Sequence, residues 1–279
     1  MPLDEWTAGG STTTIGGHSI FYRADGGGTP VTLLHGFPTS SHDWAPIVPA
    51  LVGAGFRVLT LDFLGLGASD KPRDHRYRVT EQADVVEHLW RELAIERTAL
   101  VAHDYGVSVA QELLARDAAR VTSMTWLNGG VYPDLHRPIL VQRLLHSRLG
   151  PLMSRFSSER TFRMAMSAIM SRDVGEHDLH EMWRSVAHNG GTRVQHQVLR
   201  YIDDRRSNAE RWRTAMETYS GPTQFIWGPH DPISGGHVLP RLRERLPAAD
   251  FTVLDVGHYP QIEDPQAVAS ALLQFLGHG

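Results

Sequence analysis

Asp104 lies between two small residues, Ala102 and Gly106, in the stretch Val101-Ala102-His103-Asp104-Tyr105-Gly106-Val107. A reactive residue with a small neighbour two positions away on each side is the layout of a nucleophile elbow, a sharp turn from strand into helix. Bulk at either flank would clash in so tight a turn, so the spacing has a steric cause. The turn lifts its central side chain out of the top of a sheet, with a helix N-terminus behind it. Serine is the usual occupant, and it makes an acyl ester from a carbonyl substrate. An aspartate doing the same would give a labile mixed anhydride. A carboxylate nucleophile instead suits displacement at a saturated carbon, which leaves an alkyl ester on the protein. Water activated by a histidine then attacks the carbonyl carbon of that ester.

Taken alone, Asp104 also reads as a turn or helix N-cap residue. Two further residues weigh against that. Asp231, in Gly228-Pro229-His230-Asp231-Pro232, and His258, in Gly257-His258-Tyr259-Pro260, each follow a short apolar run that reads as a strand. In a parallel sheet the ends of successive strands share one edge, where ligands bind. Nucleophile, acid and histidine then fall on that edge in the chain order expected for such a turn. His35-Gly36-Phe37-Pro38 also ends an apolar run. It places the Phe37 N–H near the nucleophile, where with the Tyr105 N–H it would form an oxyanion hole for ester hydrolysis. His35 is expected to tie the loop down.

The elements that must position these residues follow from the pattern. Thr12–Ile15 and His18–Arg23 read as a hairpin turned by Gly16-Gly17. Val31–Leu34, Phe56–Phe63, Arg97–Ala102 and Val121–Leu127 read as buried strands. A helix is expected from Trp44 to Val52, and another from Thr80 to Ala94 with Thr80 as its N-cap. The elbow helix is expected over Val107–Arg116. Alternation of this kind implies a mostly parallel sheet with helices on both faces. It stops between Asn128 and about Ser220, where Met, Arg and His recur at helical spacing and no strand is convincing. Strand character resumes at Pro222–Trp227 and Phe251–Val256, with a final helix from Pro265. The interruption reads as a helical cap, most of whose Met and Trp residues are expected to fill core.

The 279 residues suit one large α/β domain with an insert. A net charge of −4 makes nucleic acid an unexpected partner. The chain has no cysteine, so disulfides and thiolate metal sites are excluded. Its first residues carry neither a basic nor an apolar signal region, and no stretch is apolar enough to span a bilayer. A soluble, cytoplasmic protein with no membrane partner is expected. His177 and His180, three apart, read as a solvated helix face, and no metal is expected there.

These motifs resemble those of the α/β-hydrolase superfamily, in its epoxide hydrolase and haloalkane dehalogenase branch. The residues that carry the likeness are His35-Gly36-Phe37-Pro38, Asp62 through Gly67, His103-Asp104-Tyr105-Gly106, Asp231 and His258. Within that branch the chain most resembles the mesoderm-specific transcript proteins. The matching stretches are Leu61-Asp62-Phe63-Leu64-Gly65, Asn128-Gly129-Gly130, His136-Arg137-Pro138, Gly228-Pro229 and His258 through Pro265. It lacks the hydrophobic N-terminal segment of the vertebrate members, so their membrane location is not carried over. The resemblance implies an α/β-hydrolase fold whose core is 1–130 and 218–279, with a cap at 131–217.

It further implies that Asp104 opens the substrate, His258 activates water and Asp231 orients the imidazole, without a cofactor. Dehalogenases usually hold the halide with a Trp after the nucleophile and often an Asn in the His-Gly-x-Pro loop. Those positions are Tyr105 and Phe37 here, and the carboxylate-holding Arg that fluoroacetate dehalogenases place after the nucleophile is also missing. Epoxide hydrolases need cap tyrosines as proton donors, and Tyr201 resembles one of these. No clear second tyrosine is found in the earlier cap helices, which leaves Trp183, His188 and His196 as candidate substrate-binding or donor residues. The expected function is an epoxide hydrolase, monomeric or homodimeric, acting on a small-molecule epoxide. The alternatives are a haloalkane dehalogenase and a catalytically idle ligand-binding protein on the same fold.

Overall fold

The computed structural model describes residues 1–277. Its centre is an eight-stranded sheet in the order β1-β2-β4-β3-β5-β6-β7-β8. The strands are β1 (Ser11–Ile15), β2 (His18–Gly26), β3 (Thr29–Leu34), β4 (Phe56–Leu61), β5 (Thr98–Ala102), β6 (Val121–Leu127), β7 (Thr223–Trp227) and β8 (Asp250–Val253). Pairing is antiparallel between β1 and β2 and between β2 and β4, and parallel from β4 through β8. The central strands are apolar on both faces because helices cover both. In β5, Ala99 and Val101 face one apolar layer with Val31, Leu33 and Leu127. Leu100 and Ala102 face the other, with Leu34, Met124 and Trp126. This alternation follows from the two-residue period of a strand. Each such Val or Leu removed from water contributes roughly 1.5–3 kcal/mol.

The first helix, α1 (Leu3–Ala8), buries Trp6 and Leu3. α2 (Val48–Gly53) follows a short 3-10 turn at Ser41–Trp44, so the helix expected over 44–52 is broken in two. α3 (Val79–Glu92) begins one residue before the expected Thr80 cap, with Arg78 at the N-cap position and no capping side chain there. Its exposed first N–H is taken instead by Asp204, whose Oδ2 accepts from Val79 at 3.0 Å. A remote carboxylate does the work of a local cap, and local sequence does not reveal it. α4 (Tyr105–Asp117) starts directly after Asp104.

Between β6 and β7 the described chain is helical. It runs through α5 (Leu140–His146), α6 (Gly150–Arg155), α7 (Glu159–Ser167), α8 (Glu176–Ala187), α9 (Gln195–Val198), α10 (Tyr201–Ser207) and α11 (Ala209–Thr218). The last of these returns the chain along α4. Glu112 of α4 accepts the Trp212 Nε1–H at 2.6 Å and also pairs with Arg211. After β7 come α12 (Leu239–Arg245), then β8, α13 (Pro260–Glu263) and α14 (Pro265–Leu276). No helix among the described residues is long and apolar enough to cross a membrane.

Candidate active site

The turn at Asp104 is an elbow in its backbone geometry as well as its sequence. Asp104 has φ 44° and ψ −103°, a conformation that a side-chain-bearing residue adopts only when its surroundings enforce it. The surroundings are hydrogen bonds on both sides. The His103 N–H donates to Leu34 O, the Asp104 N–H to Asn128 O at 2.9 Å, and the Gly106 N–H to His35 O at 3.0 Å. Gly106 passes so near β3 that a Cβ there would meet Leu34 O at 2.6 Å. That contact is the steric reason for a glycine two positions after Asp104.

Asp104, Asp231 and His258 stand together at the carboxyl edge of the sheet. The Phe37 N–H donates to Asp104 Oδ1 at 2.9 Å. His258 Nε2 lies 3.5 Å from Asp104 Oδ2, and its Nδ1 donates to Asp231 Oδ2 at 2.8 Å. Asp231 is held by the Ile233 N–H at 2.7 Å, the Ser234 hydroxyl at 2.7 Å and the Asn128 side-chain amide at 3.1 Å. Asn128 also exchanges two hydrogen bonds with the Gly228 backbone, which ties the end of β6 to the end of β7. The Tyr105 N–H stands at the first position of α4, where no preceding helical carbonyl is available to it.

Burial sets the charges of this group. Asp104 and His258 are 3% and 2% exposed. Burial alone would raise a carboxylate and lower an imidazole. For Asp104 burial is outweighed by hydrogen bonding to His258 and by nearby positive charge, so its carboxyl stays ionised, well below the usual range. For His258 burial is outweighed by the charge of Asp231 and by its contacts with both carboxylates, and its pKa is pushed up to about 10. The resting state is therefore an imidazolium held between two carboxylates.

Neighbouring residues fix the histidine loop. His103 Nε2 donates to His258 O at 2.7 Å, while the Gln261 side-chain amide donates to His103 Nδ1 at 3.1 Å. Burial and the His258 charge lower the His103 pKa to about 3, so this neighbour stays neutral. Glu263 accepts from the Gly257 and Tyr259 N–H groups at 2.9 and 3.0 Å. His35 Nε2 accepts from the Phe63 N–H at 3.1 Å and its Nδ1 bonds Gly36 O, so it joins two loops.

The cap residues divide into those near Asp104 and those remote from it. Tyr201 is fully buried, its ring 4.5 Å from that of Tyr105 and 6.2 Å from that of Phe37. Burial, with the charge of Asp104, holds its phenol protonated far above neutrality. Trp183 lines an apolar cavity of about 200 Å³, together with Ile139, Leu145, Phe162, Met166 and Ile169. This cavity reaches Phe37 and His258. His188 and His196 do not line it. His196 on α9 turns to the Ser154 hydroxyl at 3.0 Å, beside a separate surface depression with Arg73 and Arg193. His188 lies where α8 ends and the chain reverses through Asn189 and Gly190, near Lys71. His180 pairs with Glu159 at the surface.

Sequence reasoning missed two residues near Asp104. Arg205, one turn after Tyr201 on α10, is 1% exposed. Its Nε donates to the Ser108 hydroxyl at 3.0 Å, and its guanidinium lies 4.9 Å from the centre of the Tyr201 ring. His136 has both ring nitrogens buried. Burial and the Arg205 charge lower its pKa to about 3, while Asp104, His258 and Asp231 also act on it. The spacing Tyr201–Arg205 was a usable signal, since residues four apart share a helix face.

The eight-stranded sheet, with Asp104, Asp231 and His258 at its carboxyl edge, has the architecture of a hydrolase. A family model described as alpha/beta hydrolase fold matches residues 29–265, and the chain belongs to that family. It is similar to the mesoderm-specific transcript homolog protein of Bos taurus, 40% identical over 98% of this chain and 88% of the relative. Its structure is similar to that of a loop variant of the haloalkane dehalogenase DbeA from Bradyrhizobium elkanii. The TM-score is 0.83 at 22% identity, covering 96% of each chain. It is also similar to the epoxide hydrolase CorEH, with a TM-score of 0.79 at 24% identity, covering 96% of this chain and 98% of the other. At these identities the two structures share the fold with this chain.

Proposed function

We propose that the protein is an epoxide hydrolase, adding water to an epoxide to give a vicinal diol through an ester on Asp104. The observation that carries this reading is the carboxylate at the elbow. It is ionised, hydrogen-bonded by Phe37 and faced by the Tyr201 phenol from the cap. An Asp104 oxygen bonds to an epoxide carbon as the carbon–oxygen bond of the ring breaks, and its electron pair goes to the ring oxygen. That oxygen takes a proton from Tyr201, a general-acid step.

The second half-reaction uses His258. Esterification removes the charge of Asp104, so His258 gives up its proton more readily, and that proton restores Tyr201. Neutral His258 then deprotonates a water, which attacks the ester carbonyl carbon. The Phe37 and Tyr105 N–H groups receive the oxyanion. Collapse expels the diol oxygen, which takes the proton of the carboxylic acid formed on Asp104. The protein returns to its starting state, with His258 protonated between two carboxylates. Atoms balance as one epoxide plus one water.

The apolar cavity beside Phe37 and His258 supports a substrate with a hydrocarbon substituent. Diol formation measured over aliphatic, cyclic and aryl epoxides, with haloalkanes alongside, tests the reading. Diol release from at least one epoxide class is expected. Halide release without diol formation would replace this reading with a dehalogenase.

A further inference from the structure

The buried Arg205 guanidinium is the least explained charge in the molecule. Neither of its terminal nitrogens has a hydrogen-bond partner among the described residues, although Arg205 is 1% exposed. Burying a cation is costly unless its donors are satisfied, and here only Nε is. The structure nevertheless makes room for it. A Cβ on Gly130 would collide with the guanidinium, so that glycine leaves a seat for it. Ser108 on the nucleophile helix fixes its Nε. The Tyr201 hydroxyl and both nitrogens of His136 are likewise buried and unpartnered. Three side chains with unpartnered polar atoms therefore lie within electrostatic reach of Asp104, and two of them, Arg205 and Tyr201, stack on one another at 4.9 Å.

Charge bookkeeping says what they await. Asp104 and Asp231 are negative, and His258 and Arg205 are positive, so the resting site is neutral. When Asp104 bonds to carbon, its negative charge moves to the oxygen leaving that carbon. His258 stays paired with Asp231, and Arg205 is the cation left for the new anion.

We propose that Arg205, with Tyr201 and His136, forms the subsite that receives the oxygen anion as the epoxide opens. This rests on the epoxide hydrolase reading above. Tyr201 supplies the proton, neutral His136 a hydrogen bond, and Arg205 a fixed charge that works hardest after the bond has begun to break. Arg205 thereby takes the role that a second tyrosine donor would fill, since the Tyr132 hydroxyl is bonded to Glu217 instead. No new atom transfer is needed, since the guanidinium keeps its protons throughout.

The test uses Asp104→Asn as a neutral stand-in for the esterified state. Formate, a small oxygen anion, is titrated calorimetrically into the wild type and this variant. Formate is expected to bind Asp104→Asn about tenfold or more tightly than wild type, as a freed charged donor set implies. Adding Arg205→Gln should abolish the gain, and Arg205→Lys, which keeps the charge but not the fork, should retain part of it. Equal formate affinity in wild type and Asp104→Asn, or a gain that survives Arg205→Gln, overturns the proposal. Arg205→Lys supplies the same comparison if the glutamine variant does not fold, and a gain undiminished in it overturns the proposal too.

A kinetic arm addresses the reaction itself. In a His258→Gln background, Arg205→Gln should slow ester formation on Asp104 by about 10²- to 10³-fold. Unchanged ester formation overturns the proposal. If His258→Gln alone forms no ester with any epoxide, the epoxide reading fails, and the formate titration still decides Arg205 independently.

Discussion

The hydroxyl of Ser108 accepts the Nε–H of Arg205 at 3.0 Å. Ser108 lies in the first turn of α4, just after Asp104, and Arg205 lies four residues after Tyr201 on α10. Tyr201 and Arg205, at this spacing, share a helix face. The core and the cap are thus joined close in sequence to Asp104 on one side and Tyr201 on the other. That bond ties α10 to α4, the helix that follows Asp104.

The covalent ester is the first consequence to test. His258→Gln removes the water-activating base and leaves Asp104 free to attack. After incubation with an epoxide, intact-protein mass spectrometry is expected to show an adduct of substrate mass, mapping to the peptide that contains Asp104. Asp104→Ala should be inactive. Turnover by that variant would rule out Asp104 as the nucleophile.

Tyr201→Phe keeps the buried ring against Tyr105 and removes only the hydroxyl. Its effect should fall on ester formation, with a loss on the order of 10²-fold, the low end for a general acid. Hydrolysis of the ester should be unaffected. Stopped-flow single-turnover kinetics separates the two steps, and unchanged ester formation in the folded variant would remove Tyr201 from the site.

The two steps should also differ in their response to pH. In the free protein His258 holds its proton up to about 10, because the Asp231 and Asp104 charges overcome the effect of burial. Asp104 is ionised well below neutrality. Ester formation is therefore expected to be flat across neutral pH and to bend only near pH 10. The esterified protein has lost the Asp104 charge, so the His258 proton leaves at lower pH, and ester hydrolysis should rise with pH at a midpoint below that of the free protein. A single shared pH profile for both steps would contradict this account.

Asn128 joins the ends of β6 and β7 and donates to the Asp231 carboxylate. Asn128→Ala leaves the Gly228 backbone groups unpaired inside the protein, which costs about 1–3 kcal/mol for each buried group left unsatisfied. Chemical denaturation should show a loss of that order. Asp231 also loses one of its donors, so ester hydrolysis should slow more than ester formation. Equal slowing of both steps would mean that Asn128 acts only through stability.

Much of this architecture was legible from local chemistry. The apolar runs of β3, β4, β5 and β6 read as buried strands because both sheet faces are covered. The elbow was legible because its steric demand acts over two residues. Asp231 and His258 were legible because parallel strands bring successive strand ends to one edge. The start of α3 was not, since its cap is Asp204, more than a hundred residues away. Arg205 was missed for a related reason. An arginine on a polar helix reads as solvated, and its burial depends on a seat made by Gly130 and an anchor on Ser108. His188 and His196 showed the converse difficulty, since histidines at helical spacing give no sign of which face meets the cavity.

The grip of Glu112 on Arg211 and Trp212 bears on how this protein could change over generations. It binds α11, the last helix of the cap, to the same helix that follows Asp104, and the Arg205–Ser108 bond ties α10 to that helix as well. The earlier part, α5 through α8, supplies most of the cavity wall without sharing that attachment. Replacing wall residues such as Leu145, Phe162 or Met166 would recast the shape of the molecule admitted, while Tyr201 and Arg205 stayed in place over the acid. Selection therefore has a region in which to explore new substrates without dismantling the reaction, and the boundary of that freedom falls near the start of α10.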